Sequence, residues 1–216
     1  MTTENQDISQ EQLEAKPQNW RSQVLDNLQT IAISLLLVLI IRVFIAEPRY
    51  IPSDSMFPTL ETGDRVVIEK VSYNFHPPQL GDIIVFNPPS QLQDQGYPGD
   101  QAFIKRVIGT PNDVIEVRDN QVYLNNTPLQ ESYIAAPPDY ELPPLEIPPG
   151  YLFVMGDNRN NSNDSHIWGY LPQENVIGHA IFRFWPSDRL GMITTPQPLG
   201  TISPQSPSIN KGLLYH

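Results

Sequence analysis

The segment Phe103-Ile104-Lys105-Arg106-Val107-Ile108 decides the fold class of this chain of 216 residues. Its aromatic and β-branched residues are typical of a strand, and strand alternation puts Lys105 on one face with Phe103 and Val107 while Arg106 takes the other face. Six further runs have the same character. With 102–108 they make seven predicted strands, the others being 65–71, 82–86, 113–117, 121–124, 151–155 and 175–184. We therefore predict a mainly β protein.

Proline separates these runs. The chain has 23 prolines against 12 glycines, a composition that favours short strands, turns and extended connectors over a helical bundle. Residues 87–101 and 125–150 are predicted to be loops or a small appended region, since proline is frequent in both. The length allows one substantial domain, which we place at 47–195. Residues 196–216 carry little apolar material and are predicted to be a flexible tail.

Charge and composition exclude several classes of partner and site. The net charge is −11, and beyond residue 46 there are 10 Lys+Arg against 19 Asp+Glu, so this part of the chain repels phosphate backbones. We expect no nucleic-acid partner. The chain has no cysteine, which excludes disulfides and thiolate catalysis, and its four histidines lack paired metal-ligand spacing. We expect neither a metal nor another cofactor.

An apolar segment near the N-terminus, residues 28–46, is predicted to be a single transmembrane helix. As a helix it rises about 28 Å, close to the thickness of the hydrocarbon layer of a bilayer. Alternatives are a cleavable secretory signal and a buried core helix. The polar tail 1–27 carries five acidic and two basic residues, whereas a secretory signal begins with a basic leader. Basic residues stand on both sides of the span, so charge leaves its orientation open.

Ser55 is the candidate nucleophile. It lies nine residues beyond Ala46, so an extended chain keeps it within about 30 Å of the predicted span. A serine hydroxyl needs a neighbouring base that takes its proton. Burial in an apolar strand can lower the pKa of a lysine from about 10.4 to about 7–8, which makes Lys105 a candidate base. The alternative for Lys105 is an edge-strand lysine with its ammonium in water.

His166 is a second candidate base. It follows Asp157 and Asp164 closely in the sequence, so a Ser-His-Asp triad with Ser55 is an alternative to a Ser-Lys pair.

Four sequence blocks together resemble those of the type I signal peptidase family, in the family's order. The first is Ser55-Met56-x-Pro58-Thr59-Leu60, and the second is Gly81-Asp82-Ile83-Ile84-Val85-Phe86. The third is Lys105-Arg106-Val107-Ile108-Gly109-x-Pro111. The fourth is Gly156-Asp157-Asn158-Arg159-x-x-Ser162-x-Asp164-Ser165. Four ordered blocks are far more specific than any single motif, and they span roughly residues 45–185.

The resemblance implies a membrane-anchored endopeptidase that removes signal peptides from exported pre-proteins with a Ser-Lys dyad. Ser55 matches the nucleophile and Lys105 the general base. Ser162 matches a hydroxyl that orients the lysine, and Ser53 matches a side-chain donor of the oxyanion hole. Residues that match pocket-lining positions for small substrate side chains are Ile51, Met56, Leu60 and Ile104. Residues that match structural supports of the site are Asp157, Arg159 and Asp164.

The resemblance also implies a fold and a location. The family's fold is a set of coiled antiparallel β-sheets with a smaller inserted region. The implied location is the plasma membrane or a thylakoid-type internal membrane, with the catalytic domain on the extracytoplasmic or lumenal side. The implied partners are the lipid bilayer and signal-peptide-bearing pre-proteins.

Three positions depart from the family's usual pattern. Asn112 stands where glycine is common, and asparagine tolerates a left-handed turn. His166 stands where arginine is common, so an ion pair with Asp164 would depend on pH. Asp54 precedes the nucleophile where a small residue is frequent.

Two rival functions come from other classes of protein. A soluble self-cleaving repressor with a Ser-Lys dyad would need a DNA-binding helical module in place of residues 1–46, where this chain has an apolar span. The second rival is a catalytically inactive, membrane-tethered β module that binds exported chains. Only an assay of cleavage distinguishes it from an active enzyme.

Overall fold

The computed structural model describes residues 20–194, with side chains from residue 23 onward. A helix α1 runs over Trp20–Ile40 and continues as a π-helix over Ile41–Ile45. The stretch Gln23–Ile45 is long and apolar enough to cross a membrane, and none of its most apolar window is buried within the structure. The predicted span 28–46 needs correction at both ends. The helix begins inside the predicted polar tail, and Ala46 already belongs to a strand.

Residues 46–194 form two antiparallel sheets. The larger has eight strands in the order β1-β2-β11-β3-β4-β9-β10, with β12 added to β11, and the smaller has four in the order β7-β6-β5-β8. The strands are β1 Ala46–Tyr50, β2 Arg65–Glu69, β3 Ile83–Phe86, β4 Phe103–Gly109, β5 Val114–Arg118, β6 Gln121–Leu124, β7 Thr127–Pro128, β8 Leu142–Glu146, β9 Tyr151–Met155, β10 Leu171–Pro172, β11 Val176–Trp185 and β12 Gly191–Met192.

Short helices connect the strands. Two are α-helical, α2 Ser90–Asp94 and α3 Ser165–Trp168. Five are single 3-10 turns: Asp54–Met56, Ser72–Asn74, Arg159–Asn161, Gln173–Asn175 and Ser187–Arg189. All seven predicted strands are present, so the mainly β prediction is confirmed. The predicted C-terminal tail 196–216 and the first 19 residues lie outside the described residues.

The region 125–150, predicted to be a loop or a small appended region, contains strands β7 and β8 of the smaller sheet, and neither strand was predicted. Strand β1 was also not predicted. Both β1 and β8 contain proline and lie at a sheet edge, β1 paired with β2 and β8 paired with β5. Proline has no N–H to donate to a second neighbour, so it is tolerated at an edge and hides a strand from sequence analysis. The predicted loop 87–101 contains the short helix α2.

Three apolar clusters hold the sheets together. On β3, Ile83 and Val85 belong to one cluster while Ile84 and Phe86 belong to another, so this strand is buried on both faces. A third cluster joins the two sheets through residues such as Ile108 of β4 and Ile115 of β5. Strand β4 contributes to all three clusters, and this burial on both faces removes it from solvent.

Candidate active site

The structure brings Ser55 and Lys105, which are 50 residues apart in sequence, into direct contact. Ser55 lies in the 3-10 turn Asp54–Met56, and Lys105 lies on β4 between two paired strands. The Lys105 Nζ atom lies 2.8 Å from Ser55 Oγ and 3.0 Å from the main-chain oxygen of Ile104. A base at this distance can take the proton of the serine hydroxyl.

Lys105 is buried, with 3% of its surface exposed, so it is not an edge-strand lysine in water. Burial lowers the pKa of Lys105 to about 8, although the negative charges of Asp164 and Asp157 act in the opposite direction. The cause is the loss of water around the ammonium, which penalises the charged form. About a tenth of the lysine is therefore neutral at pH 7, and this fraction rises to about half at pH 8, where the amine can act as a base.

Two further serines lie at this site. Ser53 Oγ is 3.4 Å from Ser55 Oγ, which puts a second hydroxyl beside the nucleophile. The buried Ser162 Oγ has no hydrogen-bond partner among the described residues. A Cβ atom built on Gly156 would lie 2.3 Å from both Ser162 Oγ and the main-chain oxygen of Ser55. Only glycine therefore lets these two serines approach the same turn.

Asn158 is a site residue to which sequence analysis assigned no role. Its main-chain N–H donates to the oxygen of Ser55 at 3.1 Å, and its Nδ2 donates to the oxygen of Asp54 at 3.1 Å. These two bonds fix the turn that carries the nucleophile to the loop that follows β9. Its place in the fourth sequence block was the only signal in the sequence.

Asp157 forms a buried ion pair with Arg106, on the face of β4 opposite Lys105. The guanidinium donates two bonds to the carboxylate, from Nε at 2.8 Å and from Nη2 at 2.6 Å, and a third to the oxygen of Gly81. The Thr59 hydroxyl donates to the same carboxylate, and the Tyr133 ring lies 4.0 Å from the guanidinium carbon. Arg106 thereby joins β4 to the loop that carries Asp157 and to the segment that carries Gly81.

Arg159 and Asp164 also make buried polar contacts. Arg159 donates two bonds to Glu131, at 2.6 and 2.7 Å, and connects the loop that follows β9 to the segment after β7. Asp164 accepts a bond from the Gly156 N–H at 2.8 Å, and its other oxygen lies 2.7 Å from His166 Nδ1. Both residues fix the shape of the loop that carries Ser162.

His166 contacts Asp164 and stacks on the Tyr140 ring, with ring centres 4.1 Å apart. Within residues 20–194, the base in hydrogen-bond contact with Ser55 is Lys105 and not His166. The arrangement favours the Ser-Lys pair over the histidine triad.

A cavity of about 380 Å³ opens at the dyad. Of the four predicted substrate-binding residues, Ile104 lines this cavity, whereas Ile51, Met56 and Leu60 lie buried in the apolar cluster to which Ile104 belongs. Sequence analysis missed part of the lining. The missed residues are Pro52, Asp54, Tyr97, Gln101, Ala102, Phe103, Asn161 and Asn163. Ile104 is therefore the one predicted substrate-binding residue among the described residues that reaches the cavity, and the missed residues supply most of the remaining lining.

The remaining departures have local explanations. Asn112 has a φ of +71°, the left-handed conformation that asparagine tolerates. The Asp54 carboxylate accepts a bond from the Thr62 hydroxyl at 2.6 Å, which braces the turn that carries Ser55. Within the described residues no group of three acidic or histidine side chains could hold a metal ion.

Comparison with known proteins gives a consistent set of matches. A family model described as "Signal peptidase, peptidase S26" matches residues 24–185. The "Probable signal peptidase I-1" of Synechocystis sp. is 60% identical over 177 residues, covering 82% of this chain and 90% of that protein. The "Signal peptidase I" of Leptolyngbya laminosa is 51% identical over 175 residues, covering 81% and 86%. The "Probable thylakoidal processing peptidase 2, chloroplastic" of Arabidopsis thaliana is 47% identical over 155 residues, covering 72% and 42%.

Proposed function

The chain belongs to the signal peptidase family, peptidase S26, and from that membership we propose that Ser55 and Lys105 carry out its cleavage of signal peptides. The contact of 2.8 Å between the buried Lys105 Nζ and Ser55 Oγ is the observation that carries this proposal. The enzyme is a serine endopeptidase of the S26 type.

Acylation begins with neutral Lys105. Its amine takes the Ser55 proton, and the serine oxygen attacks the carbonyl carbon of the scissile peptide bond. The carbonyl π-bond opens to give a tetrahedral oxyanion. When this intermediate collapses, the C–N bond breaks, and the lysine ammonium returns its proton to the leaving amine. The mature protein leaves, and the signal peptide remains as an ester on Ser55.

Deacylation uses the same base. Neutral Lys105 takes a proton from a water molecule, the hydroxide attacks the ester, and the proton returns to Ser55 Oγ as the signal peptide departs. Ser53 and the main-chain N–H of Ser55 stabilise the oxyanion in both steps. A donor of this kind contributes about 3–4 kcal/mol to comparable transition states. The distance of 3.4 Å between the two serine hydroxyls supports this role for Ser53.

Ser162 is proposed to orient the lysine. Its buried hydroxyl lies against Gly156, in the loop that also fixes the nucleophile's turn. A buried hydroxyl without a partner is costly, and an amine that passes a proton between substrate and serine needs an acceptor on its other side. The loop contacts of Asp157, Arg159 and Asp164 hold this arrangement in place.

The substrate is proposed to bind extended in the cavity along β4, with small side chains before the scissile bond. Ile104 lines the cavity, and Ile51, Met56 and Leu60 are buried in the apolar cluster to which Ile104 belongs. An extended chain points alternate side chains toward the same surface, so small residues are expected at alternate positions.

The protein is membrane-associated, and we propose that Gln23–Ile45 crosses the bilayer once, with the catalytic domain on the extracytoplasmic or lumenal side. The length and hydropathy of this stretch support a span. The Arabidopsis relative is described as thylakoidal and chloroplastic, which makes an internal photosynthetic membrane one candidate location and the plasma membrane the other. Exported pre-proteins, held at the membrane by their signal peptides, reach the site on that side.

The test is cleavage of a pre-protein by the detergent-solubilised full chain. The product's new N-terminus is mapped by mass spectrometry for wild type, Ser55→Ala and Lys105→Ala. We expect one cut after a small residue in the wild type and none in either variant. Thermal unfolding of the three proteins provides the folding control.

Cleavage that persists in Lys105→Ala would overturn the dyad. Absence of cleavage by the folded wild type, together with binding of the pre-protein, would instead leave the inactive β module as the function.

A further inference from the structure

In the segment 88–101, Tyr97 and Gln101 form one wall of the cavity at the dyad. Helix α2 anchors the segment through Leu92, which is fully buried in the apolar cluster that includes Phe86 and Trp168. Beyond this anchor Tyr97 packs edge-on against Phe103 of β4, with ring centres 5.2 Å apart. The wall is therefore fixed to the strand that carries Lys105.

Asn163 connects this wall to the loop that follows β9. Its Nδ2 donates to Gln95 Oε1 at 3.3 Å and to the Tyr97 hydroxyl at 3.4 Å. These contacts orient the amide, and its Oδ1 is buried without a hydrogen-bond partner among the described residues. Asn163 follows Ser162 directly and lines the same cavity as Ser55 and Lys105.

A buried acceptor without a donor destabilises the protein unless a ligand supplies the donor. The chains processed here differ in sequence, so the donor common to all of them is the main-chain N–H. An extended chain in the cavity presents such an N–H at each residue. The Oδ1 atom of Asn163 can accept a hydrogen bond from one of these N–H groups, whatever the side chain of the residue that donates it.

We propose that Asn163 is a substrate-binding residue whose Oδ1 accepts a hydrogen bond from a main-chain N–H of the bound pre-protein. The bond positions the chain over Ser55, and Gln95 and Tyr97 hold the amide in the required orientation. This inference rests on the proposed function, because it assumes that the pre-protein lies in this cavity.

The first experiment compares steady-state cleavage by full-length wild type, Asn163→Leu, Asn163→Asp and Asn74→Leu. Asn163→Leu keeps the side-chain size and removes the acceptor, so we expect KM to rise about 5- to 10-fold with kcat unchanged. Asn163→Asp keeps an acceptor oxygen and should stay near the wild-type KM. Asn74 is exposed and lies outside the cavity at the dyad, so Asn74→Leu is the matched control.

The second experiment identifies the donor. Peptides that span the cleavage site are N-methylated at one residue at a time, and their dissociation constants are measured for Ser55→Ala and for Ser55→Ala with Asn163→Leu. One methylated position should weaken binding about 5- to 10-fold in the first protein and have no effect in the second. This measurement needs no cleavage, so its outcome is separate from the test of the dyad.

An unchanged KM in Asn163→Leu would overturn the proposal, as would an N-methyl scan with no position that depends on Asn163. A lower melting temperature with equal losses in kcat and in kcat/KM would also overturn it, because that pattern indicates a structural role. One outcome separates the two proposals. If the wild type did not cleave, or Lys105→Ala cleaved as well as the wild type, while the effect of one N-methyl position still depended on Asn163, the proposed reaction would fail and the binding role would stand.

Discussion

Lys105 is the proposed general base, because burial lowers its pKa toward neutral pH. Its pKa of about 8 predicts that kcat/KM rises with pH, tenfold per unit, and levels off above about pH 8. The measurement is kcat/KM for one pre-protein between pH 5.5 and 9.5, a range that extends to both sides of the Lys105 pKa. An acid limb centred near pH 6.5 would point to a histidine base instead.

The same burial destabilises the folded protein, and the size of this effect depends on pH. The folded pKa of about 8 lies below the model-compound value of 10.5, so the unfolded chain binds more protons between these values. The free energy of unfolding therefore rises with pH from about 8 to 10.5. At pH 7 we expect Lys105→Met to raise it by about 1–3 kcal/mol, since the methionine places no charge in the buried site. Chemical denaturation at pH 7 and 10.5 checks this, and a gain that stays the same at pH 10.5 would contradict it.

His166 gives the contrasting prediction at the residue scale. Its ring touches Asp164 and Tyr140, so His166→Ala should keep activity within about tenfold of wild type. Lys105→Ala removes the base and should lose at least about 10³-fold. Rates of pre-protein cleavage by both variants decide the matter, and equal, complete losses would restore the histidine triad as the better hypothesis.

Strand β4 and the loop after β9 are two of the elements that build the site, and Arg106 and Asp157 join them. Both side chains are fully buried and form a two-bond ion pair. Removing one partner leaves an unpaired buried charge, so Asp157→Ala should lower the free energy of unfolding by about 3–5 kcal/mol. Urea denaturation measures this.

Asp139→Ala, at an exposed position before β8 with no left-handed backbone, is the control and should change stability by less than about 0.5 kcal/mol. Arg106→Met with Asp157→Leu should recover most of the loss, because two apolar groups carry no charge into the core. A double variant as unstable as Asp157→Ala would contradict the ion-pair explanation.

The whole molecule is expected to place its two sheets on one side of a membrane and its N-terminus on the other. The chain has no cysteine, so single cysteines report position directly. In intact cells or sealed vesicles, Thr127→Cys should react with a membrane-impermeant maleimide applied to the extracytoplasmic or lumenal face. Ser9→Cys should react only after permeabilisation. The reverse pattern would invert the proposed topology, and labelling of both without permeabilisation would exclude a single span.

The sequence by itself determined the elements whose causes are local. Seven strands followed from β-branched runs, the apolar span followed from its length, and Asn112 was expected to tolerate the left-handed turn that it adopts. The four ordered blocks also identified the family, and with it Ser55 and Lys105 as candidates. Strands β1 and β8 were missed because their prolines contradict the local signal, and only the position of each strand at a sheet edge makes proline acceptable.

Tertiary structure alone decided the properties that depend on distant residues. From strand β4 alone, Lys105 could equally have been a solvated edge lysine, and it becomes a base only because β3, β9 and the turn of Ser55 surround it. The wall at 88–101, the bond from Asn158 and the unpaired oxygen of Asn163 likewise come from segments far apart in sequence. The physical reason is that strand propensity is read within a few residues, whereas desolvation and hydrogen-bond pairing depend on which segments pack together.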